Sequence, residues 1–172
     1  MKGIHNTFHF FLQIFFIRNI ILTAMDIDLT KWKLVKTGQI EDEFEGFDEE
    51  MIFELTDGTV YYQSAYKYRY HYAYRPTVKI YSDGYTKIIV PNGMNDYAKI
   101  QETTAIKSKI INDFKGWSGD TIFELQNGQI WKQDKHKYKY FYSYRPNAII
   151  IKTGSHYIMT VKGKSIRVKR IK

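Results

Sequence analysis

Tyrosine occupies every second position of Tyr66-Lys-Tyr-Arg-Tyr-His-Tyr-Ala-Tyr-Arg-Pro76. Seventy residues later His136-Lys-Tyr-Lys-Tyr-Phe-Tyr-Ser-Tyr-Arg-Pro146 repeats the pattern and its closing Arg-Pro. A period of two places these rings on one face of a β-strand. Shorter apolar or alternating runs lie at 40–47, 51–55, 59–63, 78–81, 87–90 and 97–100. Turn residues separate them. Asp57-Gly58 between two such runs signals a hairpin, because both central residues of a type I′ turn need positive φ. Ser82-Asp-Gly84 marks another turn, and Pro76, which cannot donate to a ladder, marks a break or an edge. No helical periodicity is present after residue 25, so the pattern predicts an all-β protein.

The second half repeats this order. Residues 40–90 align with 110–160 without a gap, and nineteen of fifty-one positions are identical. The identities include Phe44/Phe114, Gly46/Gly116, Gly58/Gly128, Gln63/Gln133, Arg75-Pro76/Arg145-Pro146 and Gly84/Gly154. Glycines at turns and apolar residues within strands determine a fold, so the shared positions are those of a duplicated module. Phe47/Trp117 and Tyr61/Trp131 exchange one ring for another, as a core slot allows. The expected organisation is a lead-in at 25–39, with a turn at Thr37-Gly38, a first module at 40–100, a linker at 101–109 and a second module at 110–172. Five or six short antiparallel strands in each module predict an SH3-like barrel, with an OB-like barrel as the alternative.

The pattern Phe-x-Gly-Trp followed by Phe-x-Leu-x-Asn-Gly-Gln-x-Trp-x-Gln runs from Phe114 to Gln133, and a weaker copy runs from Phe44 to Gln63. It resembles small bacterial β-modules that occur singly or in tandem. The resemblance covers both repeats but not the leader or the linker. It implies a tandem β-module protein and carries over no functional residue.

Charge distinguishes the two copies. The chain is +8 overall, but residues 40–90 hold ten acids and five bases, whereas 107–172 hold fifteen bases and four acids. An acidic module followed by a basic one suggests that the two attract each other, within one chain or between chains. There is no cysteine, which excludes disulfides, thiol catalysis and thiolate metal sites and favours a reducing compartment. The expected location is cytoplasmic. Export or membrane anchoring is the alternative if residues 1–24, with their apolar run at 8–17, are a genuine leader. Three readings of that stretch compete: a signal or anchor interrupted by Arg18, translation upstream of a true start at Met25, or an ordered element of the fold.

No nucleophile–base signature, phosphate-binding glycine loop or metal-ligand spacing occurs among the histidines His5, His9, His71, His136 and His156. The acidic run around Glu41, Glu45 and Asp48 lacks calcium-loop spacing. The expectation is therefore a non-enzymatic protein without cofactor or metal, acting as a protein-interaction or structural accessory unit. Nucleic-acid binding by the basic second module is the alternative. A hydrolase with a site assembled from distant residues ranks third. Candidate binding residues are Trp131, Lys137, Lys139, Tyr142, Arg145, Arg167 and Lys169, because rings stack on bases and cations meet phosphates. Membrane contact is expected only if residues 1–24 act as an anchor. The tyrosine rows themselves are expected to cover the barrel core, with Lys and Arg turned to solvent.

Overall fold

A computed structural model describes residues 30–172 of the chain, and residues 1–29, which include the doubtful leader, lie outside them. The described chain is all-β, with no helix and sixteen strands. In the first half these are β1 (Lys33–Gln39), β2 (Glu43–Phe47), β3 (Ile52–Glu54), β4 (Val60–Gln63), β5 (Arg69–Tyr74), β6 (Thr77–Ser82), β7 (Lys87–Pro91) and β8 (Ala98–Thr103). In the second half they are β9 (Ile106–Lys109), β10 (Gly116–Ser118), β11 (Ile122–Glu124), β12 (Ile130–Gln133), β13 (Tyr138–Tyr140), β14 (Asn147–Thr153), β15 (His156–Val161) and β16 (Lys164–Arg170).

Each half folds in the same order. A six-stranded antiparallel sheet runs β1-β6-β7-β8-β4-β3 in the first half and β9-β14-β15-β16-β12-β11 in the second. A two-stranded ribbon accompanies each sheet, β2-β5 and β10-β13. The two edges of each sheet meet, through one bridge at Ile40/Leu55 and one at Ile110/Leu125. Backbone hydrogen bonds from Glu41 N to Glu54 O (2.9 Å) and from Ile111 N to Glu124 O (2.8 Å) fasten the junctions. Joining the edges in this way leaves few unpaired strand groups to template aggregation.

Each half therefore holds eight strands rather than five or six, and the excess has a clear source. The stretch read as a lead-in supplies β1, which pairs with β6. Its side chains are mostly exposed, so it lacks the apolar alternation that identifies a strand. Thr37-Gly38 is not a turn but part of that strand, and Gly38 stands where a Cβ would meet the Leu55 side chain at 2.8 Å. The stretch read as a linker is likewise strand, β8 and β9, joined by Thr104 and Ala105 alone.

Two cores follow the duplicated pattern. Phe44, Phe47, Phe53, Leu55 and Tyr61 are buried in the first, with Phe114, Trp117, Phe123, Leu125 and Trp131 at the matching positions of the second. The rings meet edge to face. Phe44–Phe47 and Phe114–Trp117 both have centroids 5.6 Å apart, a favoured arrangement for aromatic quadrupoles. A third buried group, Ile52, Val60, Ile149, Ile151 and Ile158, spans the halves. It forms because β14 is apolar on both faces: Ile150 points into its own core while Ile149 and Ile151 pack on β3 and β4.

Gly46 and Gly116 carry the ribbons. A Cβ at either would lie 2.0 Å from the Arg69 carbonyl oxygen or 2.1 Å from that of Lys139, and both residues have positive φ, 99° and 94°. Gly116→Ala should cost more than the ~1–3 kcal/mol of a strained backbone alone. Gly128→Ala is the control, since Gly128 also has positive φ but nothing within 4 Å of its would-be Cβ. Urea denaturation should place the midpoint of Gly116→Ala well below that of the control; equal midpoints would refute the close-approach argument.

Candidate functional site

All nine tyrosines of the two rows are exposed, from 55% for Tyr72 to 79% for Tyr144. The alternation holds, but the face is the reverse of that expected. The rings point to solvent, while the intervening His71 and Ala73, or Phe141 and Ser143, are half-buried against the cores. The inner side of each narrow ribbon is already filled by the Phe44/Phe47/Phe53 or Phe114/Trp117/Phe123 group. One more ring fits there, Phe141, with centroids 5.1 Å from both Phe114 and Trp117. Consecutive rings on such a strand stand about 7 Å apart, twice the rise per residue.

Three shared features position each row. The close-packed glycine lets the row strand cross its partner, and in β2-β5 the register shifts between Phe44 and Gly46. A buried glutamine holds the approach to the row: Gln63 Nε2 donates to the carbonyls of Ala65 and Lys67, at 3.0 and 3.1 Å, and Gln133 Nε2 to those of Lys135 and Lys137, both at 2.8 Å. At the far end Arg75 and Arg145 adopt left-handed backbone (φ 48° and 44°) before the proline, which turns the chain into β6 or β14. Pro76 and Pro146 then accept the Ile40 and Ile110 amides at 3.0 Å.

Beside the rows the halves meet along a seam of opposite charge. Glu45 faces Lys139 (2.7 Å) and Lys164 (3.1 Å); Lys164 also reaches Glu43 (3.0 Å). Glu50 takes Arg167 (2.5 Å) and His156 (2.8 Å). Asp42 lies 3.4 Å from Lys162, Asp48 3.7 Å from Lys137 and Glu54 2.6 Å from Lys107, while Glu49 pairs with Lys135. The pairs with the most exposed partners are worth at most about 1 kcal/mol each. Lys164 differs, because only 10% of its side chain is exposed and it also sits 5.3 Å from the Phe141 ring. Burial raises the Glu45 and Glu50 carboxyls, but their cationic partners outweigh it and hold both below 4.5. Burial depresses Lys164, and its two carboxylates more than compensate, lifting it above 10.5.

The seven candidate residues separate. Lys137, Lys139 and Arg167 come together at the seam, where each faces a carboxylate of the first half. Lys169 pairs instead with Asp134 (2.9 Å). Tyr142 and Arg145 lie together at the far end of the second row, along one shallow groove. Trp131 cannot stack on a ligand. It is fully buried in the second core, its Nε1 donating to Gln129 Oε1 at 3.1 Å, because it fills the slot held by Tyr61 in the first half. The candidate set left out the other eight tyrosines and the seam residues Lys162, Lys164 and His156. Nothing in the rows themselves marks the inward positions, since His71 and Ser143 are as polar as the tyrosines beside them. Among the described residues no group of three or more His, Asp or Glu could hold a metal ion, and no helix is long and apolar enough to cross a membrane. A cavity of about 280 Å³ between Val78, Tyr81, Val90 and Met94 contains Lys79 and no carboxylate. No protein-family model matches the chain, and no curated protein or solved structure matches it either.

The seam fixes a pH dependence. Carboxyls held low when folded contribute stability above their ordinary pKa and lose it as pH falls through the folded value. Lys164, held high, contributes below 10.5 and loses its share as pH rises through the folded value. Stability measured by urea denaturation should therefore decline on both sides, below about pH 4.5 and above about pH 10.5. Glu50→Gln should flatten the acid limb, and an unchanged limb would remove Glu50 from this role.

Proposed function

We propose that this chain is two tandem copies of a small SH3-like barrel of the bacterial β-module type, acting as a non-enzymatic, cytoplasmic protein-interaction unit. Its contact surface is the pair of tyrosine rows. The carrying observation is the exposure of all nine rings on ribbons fixed by Gly46, Gly116, Gln63 and Gln133. The identical strand order of the halves and the meeting of each sheet's edges support the barrel assignment. Tyrosine is enriched at protein interfaces because it offers a large ring and a hydroxyl for little conformational entropy. Solvent-facing apolar area of this extent is unusual for a surface without a partner. Nucleic-acid binding is less favoured, because the bases nearest the second row, Lys137 and Lys139, already face Asp48 and Glu45.

A photo-reactive phenylalanine analogue at Tyr72 or Tyr142 should form protease-sensitive adducts in cells, and the same analogue at Lys109, away from the rows, should not. Nuclease-sensitive adducts would favour the rival. In vitro, single-stranded oligonucleotides should show no steeply salt-dependent binding. Such binding, lost in Lys137→Ala/Lys139→Ala, would overturn the protein-interaction reading. With the analogue kept at Tyr142, Tyr70→Ser, Tyr72→Ser and Tyr140→Ser together should abolish the adducts. Each should change stability by no more than about 0.5 kcal/mol, as surface substitutions do.

A further inference from the structure

The two halves differ in how β7 runs into β8 and β15 into β16. Lys87 pairs with Ile100, whereas its counterpart Tyr157 pairs with Val168, so the connection in the first half is two residues longer. In the second half it is a tight turn. Val161 pairs with Lys164, and Lys162 and Gly163 between them both have positive φ, 51° and 68°. That turn presses on the first half, so closely that a Cβ on Gly163 would stand 2.0 Å from the Glu43 carbonyl oxygen. The longer connection of the first half bends instead onto its own ribbon. Met94 is buried in the first core, Asp96 pairs with Lys67, and a Cβ on Gly93 would lie 3.6 Å from His71 Nε2.

Beside this bend lies the cavity of about 280 Å³. Its floor is apolar, with Val78, Tyr81, Pro91 and Met94 all buried. Its rim is polar, with Thr77, Lys79, Asn92 and Asn95 exposed. Lys79 is the sole charged residue that lines it. In the second half Ile149 holds the place of Lys79, and it is buried in one group with Ile52 and Val60 of the first half. A position that serves the junction in one copy is thus turned to solvent, and cationic, in the other.

The rim side chains are uncommitted. Among the described residues Lys79 has no ion-pair partner, whereas Lys36, Lys67 and Lys87 of the same half each hold a carboxylate. The side chains of Thr77, Asn92 and Asn95 make no hydrogen bond within the described chain. A concave apolar floor with a few placed polar groups is the general form of a small-molecule site. The absence of any carboxylate from the lining disfavours a cationic ligand. A single ammonium balances one negative charge, and the floor calls for an apolar body.

We propose that this cavity binds a small monocarboxylic acid with an apolar body. The body lies on Val78, Tyr81, Pro91 and Met94, and the carboxylate accepts from the Lys79 ammonium and the Asn92 and Asn95 amides. This site is separate from the tyrosine rows and goes beyond the interaction reading.

The test uses the full chain with labelled valine and methionine methyl groups, followed by NMR. Hexanoate or phenylacetate should shift the methyl signals of Val78, Val90 and Met94 saturably. Acetate, which lacks the body, should not do so at the same concentrations. Hexanamide should bind about tenfold more weakly than hexanoate, the loss of one charge-assisted contact. Lys79→Met should weaken hexanoate by the same factor and leave hexanamide unchanged, while Lys99→Met, at an exposed lysine outside the cavity, should alter neither. Absence of saturable shifts with both acids overturns the proposal, as does equal binding of hexanoate and hexanamide or undiminished hexanoate binding in Lys79→Met. Equal shifts with inorganic phosphate would make the rim a simple anion site and overturn it as well.

Discussion

Everything outward in this protein depends on a backbone crossing that admits no side chain. At Gly46 and Gly116 the row strand passes so near its partner that its carbonyl oxygen occupies the space of a Cβ. The crossing presses the ribbon onto the core and leaves its inner side room for one ring or imidazole, Phe141 or His71. The tyrosines then have only the solvent face. Gln63 and Gln133 hold the entry to the ribbon and the left-handed Arg75 and Arg145 shape its exit, so each row is fixed in place at both ends.

The junction between halves combines two unlike forces. The isoleucines at 52, 149, 151 and 158 contribute area, and burial of apolar area is non-directional. The surrounding ion pairs add little energy each, but they make the seam complementary along its length, carboxylates of the first half against cations of the second. Lys164 joins both roles, nearly buried, bonded to two carboxylates and lying against the Phe141 ring. Glu45 and Lys139 thereby connect the seam directly to the strand that carries the second row.

The all-β class, the offset of 70 and the places of the hairpins were legible because they depend on period and on glycine chemistry, which are local; the turn at Asp57-Gly58 is not the type I′ turn expected, since only Gly58 has positive φ and its amide donates to the Leu55 carbonyl (2.8 Å). Strands β1 and β9, and the extension of β8 past Ile100, were not, because they lie in mostly polar, exposed sequence and are held by their pairing with neighbours. The direction of the tyrosine rows was illegible for another reason. Period two identifies a face without saying which way it points, and here the answer lay in the glycine of a different strand. Trp131 shows the same limit: a ring that looks like a platform in the chain is a core residue because Tyr61 holds the same slot. The charge imbalance indicated attraction, but which residues meet depended on the turn at Lys162 and Gly163.

The junction joins different faces of two similar units, so in principle a third unit could be added by the same operation. Contacts of this heterologous kind generate filaments unless something stops them. Two residue differences set the outer ends apart from the faces that meet. Lys79 stands where the docking face of the second half has Ile149, and Lys115 stands where the receiving face of the first half has Glu45. A third copy would bury an unpaired ammonium and set Arg69, the counterpart of Lys139, against Lys115. The reversal of charge between the halves thus makes the junction directional: each outer end differs, in charge as well as shape, from the face that meets its neighbour.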